Sequence, residues 1–179
     1  MPDFPPPIYP QEHEVWLTLK DGRKIFIRPV LPTDGPLLVD LFNKLSPQSV
    51  YLRFLSNLPS LPEEWVHRFT HVDYKMDFAL LGLVQEGGKD AVIAVGRYAY
   101  DFHTHLTDLA VAVRDDWQHL GLGKSLLAKI VDIGKTNGIS IFESLIAPQN
   151  EVIKAILTDL GYKVTYSLRS GFFLVEIHV

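Results

Sequence analysis

Eight consecutive residues, Gln118-His-Leu-Gly-Leu-Gly-Lys-Ser125, carry the plainest chemistry in the sequence. They follow an apolar run, Leu109-Ala-Val-Ala-Val113, and lead into a helical pattern that begins near Leu122. A strand running through a glycine-bearing loop into a helix N-terminus makes an anion cradle. The first backbone N–H groups of the helix lack partners there, and the helix dipole adds positive potential. Gly121 and Gly123 have no side chain to hold a phosphate away from those amides, while Lys124 and Ser125 add a charge and a hydroxyl. The expected ligand is a phosphate carrier. A Walker A loop is excluded because Gln118 stands five residues before Gly123, where that loop needs glycine. A dinucleotide fingerprint is excluded because the third glycine is missing.

Other reactive side chains are weaker candidates. In Thr107–Val113, strand alternation puts Asp108 on one face with Ala110 and Ala112, two small residues that leave room beside the strand. His67 and His71 have the four-residue spacing of a shared metal. Arginine at 68 breaks the His-Glu-x-x-His pattern and no third ligand is in place, so they read as helix surface and no metal is expected. His103 and His105 fall in a turn. No Gly-x-Ser-x-Gly elbow is present, which removes the strand–turn–helix signature of serine hydrolysis.

The elements that must position the loop follow from hydrophobic period and punctuation. Val15–Leu19 and Lys24–Arg28 flank Asp21-Gly22, a hairpin signal. Short helices are predicted over Pro36–Leu45 with Thr33 or Asp34 near the cap, from Ser46-Pro47 to about Leu55, and over Pro62–Phe69. Tyr51, Phe54, Trp65 and Phe69 on these helices read as core aromatics, and Arg53 as half of a structural salt bridge. Strands follow at Asp77–Val84, Ala91–Tyr98 and Thr104–Val113. Leu122, Leu126, Leu127, Ile130, Val131 and Ile133 mark one amphipathic helix that ends near Asn137-Gly138. After a strand over Ser140–Ala147, Asn150 caps a second helix that Gly161 closes, with Val152, Ile153, Ile156, Leu157 and Leu160 on its buried side. Strands at Lys163–Ser167 and Phe172–His178 complete the chain. The expected fold class is mixed α/β (α+β): a largely antiparallel central sheet flanked by helices, with an N-terminal hairpin and some parallel pairing across the helical crossovers. Residues 1–12 read as a proline-rich arm, and 13–179 as one domain.

Gln118-x-x-Gly121-x-Gly123 after a strand, followed by helix, strand, Asn150-capped helix, Gly161-Tyr162 and strand, resembles the acetyl-CoA half of the GNAT N-acetyltransferases. Ile27-Arg-Pro-Val-Leu-Pro-Thr-Asp34, Leu45-Ser-Pro-Gln-Ser-Val-Tyr-Leu-Arg-Phe54 and Phe69-Thr-His-Val-Asp-Tyr74 are similar to the acetyltransferase domain of bacterial Pat-type protein lysine acetyltransferases. The resemblance implies acetyl-CoA as co-substrate. Val111, Ala112 and Val113 would hold the acetyl carbonyl and pantetheine arm, and Gln118, His119, Leu120, Gly121, Leu122, Gly123, Lys124 and Ser125 the pyrophosphate. Asn150 would touch the cofactor from its helix. Asp108, ten residues before Gln118, matches the catalytic glutamate of Pat-type domains, and Glu143 on the next strand is the reserve base. The tyrosine that usually serves as general acid, four residues before the Gly of the Gly-Tyr pair, is Leu157 here. The acceptor implied is a protein lysine, possibly on an acyl-CoA synthetase, with a polyamine or amino acid as the alternative. A catalytically silent acyl-CoA-sensing module is the non-enzymatic alternative.

Composition sets outer bounds. The chain has 179 residues, of which 47% are hydrophobic, enough to bury a substantial core. A net charge of −4 with no basic stripe argues against nucleic acid. Absence of cysteine removes disulfides, thiolate zinc sites and a cysteine nucleophile. No apolar run nears the ~20 residues of a membrane helix, and no signal-peptide pattern opens the chain, so a cytoplasmic location is expected and no membrane partner.

Overall fold

Residues 77–113 alternate between two apolar faces, whereas the segment after them has a helical period, and the sheet accommodates both. The computed structural model describes residues 6–179; the first five residues of the proline-rich arm lie outside the described residues. Eight strands form a single sheet: β1 (Val15–Thr18), β2 (Lys24–Pro29), β3 (Asp77–Glu86), β4 (Lys89–Asp101), β5 (Leu106–Val113), β6 (Ile141–Ile146), β7 (Lys163–Arg169) and β8 (Phe172–His178). Their spatial order is β1-β2-β3-β4-β5-β6-β8-β7. The first five strands form an antiparallel meander; β8 then pairs antiparallel with both β6 and β7, lying between them. Among the described residues only β5 and β6 pair in parallel, because helix α4 (Leu122–Thr136) carries the chain back across the sheet between them.

Each sheet face buries its own core. Phe78, Leu80, Ile93, Tyr98 and Leu109 face α4 and α5 (Glu151–Leu160), whose Leu126, Leu127, Ile130, Val131 and Leu157 complete that cluster. Ala79, Leu81 and Val92 face the opposite way, toward Leu38 and Leu41 of α1 (Gly35–Lys44). Helices α2 (Pro47–Phe54) and α3 (Glu63–Thr70) lie on this second side. Ser46 caps α2 by accepting from the Ser49 amide at 3.2 Å.

Two sequence expectations need correction, and the role of Asp34 needs refining. Strand β5 begins at Leu106 rather than Thr104, because the Asp101 carboxylate accepts the amides of His103 and Thr104 and His105 turns left-handed at φ 59°. Asp34 stands at the N-cap position of α1, as expected, but its carboxylate makes no cap hydrogen bond there: it grips Arg28 in a buried bidentate pair at 2.7 and 2.8 Å and takes the Leu31 amide at 2.7 Å. Val152 is 58% exposed, so the apolar stripe of α5 is narrower than its sequence suggests.

The long helix α4 lies unusually close to the sheet. A Cβ on Gly134 would stand 2.4 Å from Cζ of Phe142 and 3.3 Å from Cε1 of Tyr98. Gly134 therefore lets two buried rings fill the space under the helix, and Asn137 at the C-cap donates to the Tyr98 hydroxyl at 2.7 Å. Helix propensity alone favours Ala over Gly by about 1 kcal/mol. We expect Gly134→Ala to destabilise nonetheless, by about 1–3 kcal/mol, because overpacking outweighs propensity. Denaturant unfolding that found the variant more stable would refute this packing account.

Candidate active site

Hydrogen-bond phase along β5 determines which backbone groups are free. The Arg114 amide donates to the Ile93 carbonyl at 2.8 Å across the β4–β5 ladder. Antiparallel pairing alternates, so Asp108, Ala110 and Ala112 also turn their backbone groups toward β4, while Leu109, Val111 and Val113 turn theirs toward β6. Strand β6 meets β5 at one registered pair, Asp108 with Glu143. Past that pair the sheet splits, and Val111 and Val113 present backbone groups to the gap. The Val113 carbonyl is taken by Gln118 Nε2 at 2.9 Å; the amides of Val111 and Val113 are not. Ala112, expected to share the backbone role, spends its backbone on β4 and lines the cavity with its methyl group.

The loop after β5 meets the same gap. Gly121 has φ +86°, and His119 takes the left-handed region at +62° without being glycine. Together they fold the chain so that α4 starts at Leu122 with its axis pointing into the gap. Ser125 is the first residue whose amide closes a helical turn, onto the Gly121 carbonyl at 3.0 Å. No amide from His119 to Lys124 has a hydrogen-bond partner among the described residues. Leu122 itself is 1% exposed, so its side chain anchors the helix while its backbone stays open. Gln118 ties the loop to the end of β5, and its Nε2 also reaches Ser49 Oγ at 3.3 Å. Asp115 fastens α2 to the same corner through Ser46 and Ser49, at 2.7 and 2.8 Å. Burial pulls its carboxyl upward, but these hydrogen bonds outweigh it and hold it below its usual range.

These elements enclose a cavity of about 1280 Å³. One arm runs past Val111, Gly123, Lys124, Asn150, Val152 and Ile156. Asn150 caps α5 with Oδ1, accepting the Ile153 amide at 3.4 Å, and its Nδ2 donates to no group among the described residues. Lys124 reaches Asp159 at 3.2 Å on the exposed rim. Ser125 does not line the cavity. Lys20, which nothing in its local sequence singles out, does. Its amide donates to the Leu120 carbonyl at 3.3 Å, and its side chain crosses Gly121, with Cε 3.3 Å from where a Cβ would stand. Nothing at the hairpin reveals that it docks on a loop a hundred residues later.

The other arm lies between the sheet and α2–α3. Asp108, exposed, and half-buried Ala110 and Ala112 share its floor. Glu143 is the cross-strand neighbour of Asp108 but does not line the cavity. Burial, then the nearby Glu176 charge, raises the Glu143 carboxyl above its usual range against a smaller pull from Arg169. Phe54 and Trp65 are half-buried cavity walls rather than core, whereas Phe69 both lines the cavity and packs against the core on this side of the sheet. Arg53 forms no ion pair among the described residues, contrary to the structural salt bridge expected of it. Burial pushes its guanidinium down to about 10; Asp108 opposes that shift and Arg97 adds to it. His67 and His71 stack at 3.8 Å on the exposed end of α3, and no group of three or more metal-ligating side chains occurs among the described residues. No helix among the described residues is long and apolar enough to cross a membrane.

A mixed sheet that splits between two parallel strands, with strand amides and a helix N-terminus opening on one cavity, defines the acetyltransferases of the GNAT fold. Residues 47–162 match the model of the Acetyltransferase (GNAT) family, and the chain belongs to that family. It is 28% identical over 152 residues to Acetyltransferase PA5475 of Pseudomonas aeruginosa, covering 84% of this chain and 82% of that one. It is 26% identical over 144 residues to Acetyltransferase Pat of Mycolicibacterium smegmatis, covering 80% of this chain and 42% of that longer one. Among solved structures, the GNAT domain of S. lividans PAT superposes with a TM-score of 0.86 at 28% identity, covering 96% of this chain and all of that one. The yncA protein of Salmonella typhimurium, a structure with acetyl-CoA, shares the fold at a TM-score of 0.65 and 17% identity, over 87% of this chain and 92% of that one.

Gly121 and Gly123 differ in what they do. Gly121 is required by its backbone angle. A Cβ on Gly123 would meet Val113 Cγ2 at 3.5 Å and Ile156 Cδ1 at 3.7 Å, ordinary contacts that the fold tolerates. Gly123→Val therefore isolates ligand approach from folding. Calorimetry should show acetyl-CoA affinity reduced at least about tenfold, roughly 1.4 kcal/mol, with little change in Tm. Unchanged affinity would remove the loop from the binding site.

Proposed function

We propose that the protein transfers the acetyl group of acetyl-CoA to a primary amine, the ε-amino group of a protein lysine, by direct attack in a ternary complex. The observation that carries this reading is the convergence of three features on one cavity: the unpartnered amides of 119–124, the open backbone of Val111 and Val113, and the Asp108 carboxylate. Six aligned amides suit a pyrophosphate. Lys20 and Lys124 add positive charge at the rim, and Asn150 offers a free amide group beside the path of the pantetheine arm. Similarity to the GNAT domain of S. lividans PAT supports a lysine acceptor, and the acetyl-CoA in the Salmonella neighbour supports the donor.

Chemistry then follows from what each group supplies. A lysine amine has pKa near 10.4, so only about one in 2,500 is reactive at pH 7. Asp108 accepts a proton from the ammonium, directly or through a water, which frees the nitrogen lone pair to attack the thioester carbon; the second proton that nitrogen loses on becoming an amide passes to solvent. The amides of Val111 and Val113 donate to the oxygen that gains charge; fixed by the strand, they need no reorganisation. Collapse expels the coenzyme thiolate. Leu157, 1% exposed, brings no hydroxyl to this step, so the thiolate leaves unassisted or takes its proton from solvent.

Asp108→Asn preserves shape while removing the base. We expect acetyl-CoA affinity to persist and turnover to fall by about 10²–10⁴-fold at neutral pH. That deficit should narrow as pH rises toward the amine pKa, where the free amine no longer needs a base. Wild-type turnover at neutral pH would refute the assignment and transfer it to Glu143. Incubation with an acyl-CoA synthetase and acetyl-CoA, read by mass spectrometry, should yield acetyl-lysine. Turnover confined to a polyamine or a free amino acid would overturn the protein acceptor.

A further inference from the structure

The arginines of the acceptor arm are not accounted for by acetyl transfer to a bare amine. Arg97 sits on β4 directly across from Ala110, and Asp77 and Asp108 are its diagonal neighbours on the same sheet face. It is 5% exposed. Its Nη2 donates to both Asp77 oxygens, at 3.0 and 3.2 Å, and the guanidinium lies 4.4 Å from the Phe69 ring centroid. Its Nη1 is buried and has no hydrogen-bond partner among the described residues. Arg53, from α2, lines the same arm without an acidic partner, and Arg68 reaches it from α3. Three guanidinium groups thus face two carboxylates, Asp77 and Asp108; the nearby Asp101 carboxylate is spent on the amides of its own turn. Two like-charged side chains, Arg53 and Arg97, border the same recess. A buried donor with no acceptor and a neighbouring unpaired guanidinium call for an anion that brings acceptor oxygens of its own.

We infer that Arg53 and Arg97 form a carboxylate-binding subsite, so that the preferred acceptor carries a carboxylate beside its reacting amine. This rests on the acetyltransferase reading above and narrows its substrate class. The planar fork of a guanidinium matches a carboxylate with two parallel N–H donors, which Lys cannot reproduce. Asp77 holds one edge of Arg97 and fixes its plane, while Phe69 supports its face; Nη1 and Arg53 remain to receive the ligand. Asp108, on the same floor, lies where the amine end of such a substrate would need a proton acceptor. The opposite charges of the two ends are thereby matched by opposite charges in the cavity, which orients the acceptor as well as binding it. An acidic side chain next to a lysine supplies this pattern, and so does the α-carboxylate of an amino acid.

The experiment compares kcat/KM for matched amines with the full-length protein and acetyl-CoA. One pair is a lysine peptide with aspartate or asparagine beside the lysine; another is an amino acid and its carboxamide. The carboxylate partner should be preferred at least about tenfold by the wild type. In Arg53→Gln that ratio should fall toward one, with the acetyl-CoA affinity retained as the check on folding, and Arg53→Lys should recover part of it. A third arm offers succinyl-CoA with a neutral amine. An arginine-dependent preference for succinyl-CoA would place the carboxylate on the acyl group and overturn the acceptor assignment. Equal use of both members of each pair by the wild type would overturn the subsite outright, even if Arg53→Gln did not fold. Failure to acetylate any amine would instead refute the proposed function.

Discussion

The molecule depends on one contact between two parallel strands. Strands β5 and β6 pair in register at Asp108 and Glu143, and the sheet divides beyond that pair. A continuous sheet would bury the edge of β5 in a ladder and leave no backbone for a ligand. Complete separation would disconnect the meander of β1–β5 from the unit of β6, β8 and β7. A single pair keeps both halves in one sheet while freeing the amides of Val111 and Val113. The crossover geometry makes this possible: α4 leaves the end of β5 at the split, so its unpartnered N-terminus opens on the same space. Strand edge and helix dipole are thereby aimed at one place by a single topological event.

The surrounding packing holds that split open. Phe142 and Tyr98 fill the space below Gly134 and keep α4 flat on the sheet, while Leu122, Leu126 and Leu127 bury its first turns. Asp115, Ser46, Ser49 and Gln118 connect α2, the loop and the end of β5 through hydrogen bonds of 2.7–3.3 Å. The two arms of the cavity therefore share one hydrogen-bonded corner: Gln118, which ties the 119–124 loop to the end of β5, also contacts α2 through Ser49. Small side chains at 110 and 112 complete the arrangement by leaving depth on the face that Asp108 shares.

Much of this was legible in the sequence because it is local. The loop spacing at 118–125, the 3.6 period of α4, the Asn150 cap and the alternation that groups Asp108 with Ala110 and Ala112 are each readable within a dozen residues. Failures came where a residue's partner lies far along the chain. Lys20 meets Gly121 only through tertiary docking of the hairpin. Asp34 takes the N-cap position of α1, but nothing local announces that Arg28 claims its carboxylate. Arg53 looked like half of a salt bridge because an arginine on a short helix usually finds an acid, and here the space opposite is the cavity. The family resemblance groups Ala112 with Val111 and Val113, whereas the phase of the β4–β5 ladder separates them. Tertiary register, not composition, decides such cases.

Amide hydrogen exchange with and without acetyl-CoA tests the split-sheet account most directly, because it reads the backbone groups on which the account rests. Saturating acetyl-CoA should slow exchange at Val111, Val113 and the amides of 119–124 together. The Ala112 amide, already engaged with β4, should change little. Protection confined to the outer strands β7 and β8, or absent from both the loop and the end of β5, would contradict the account.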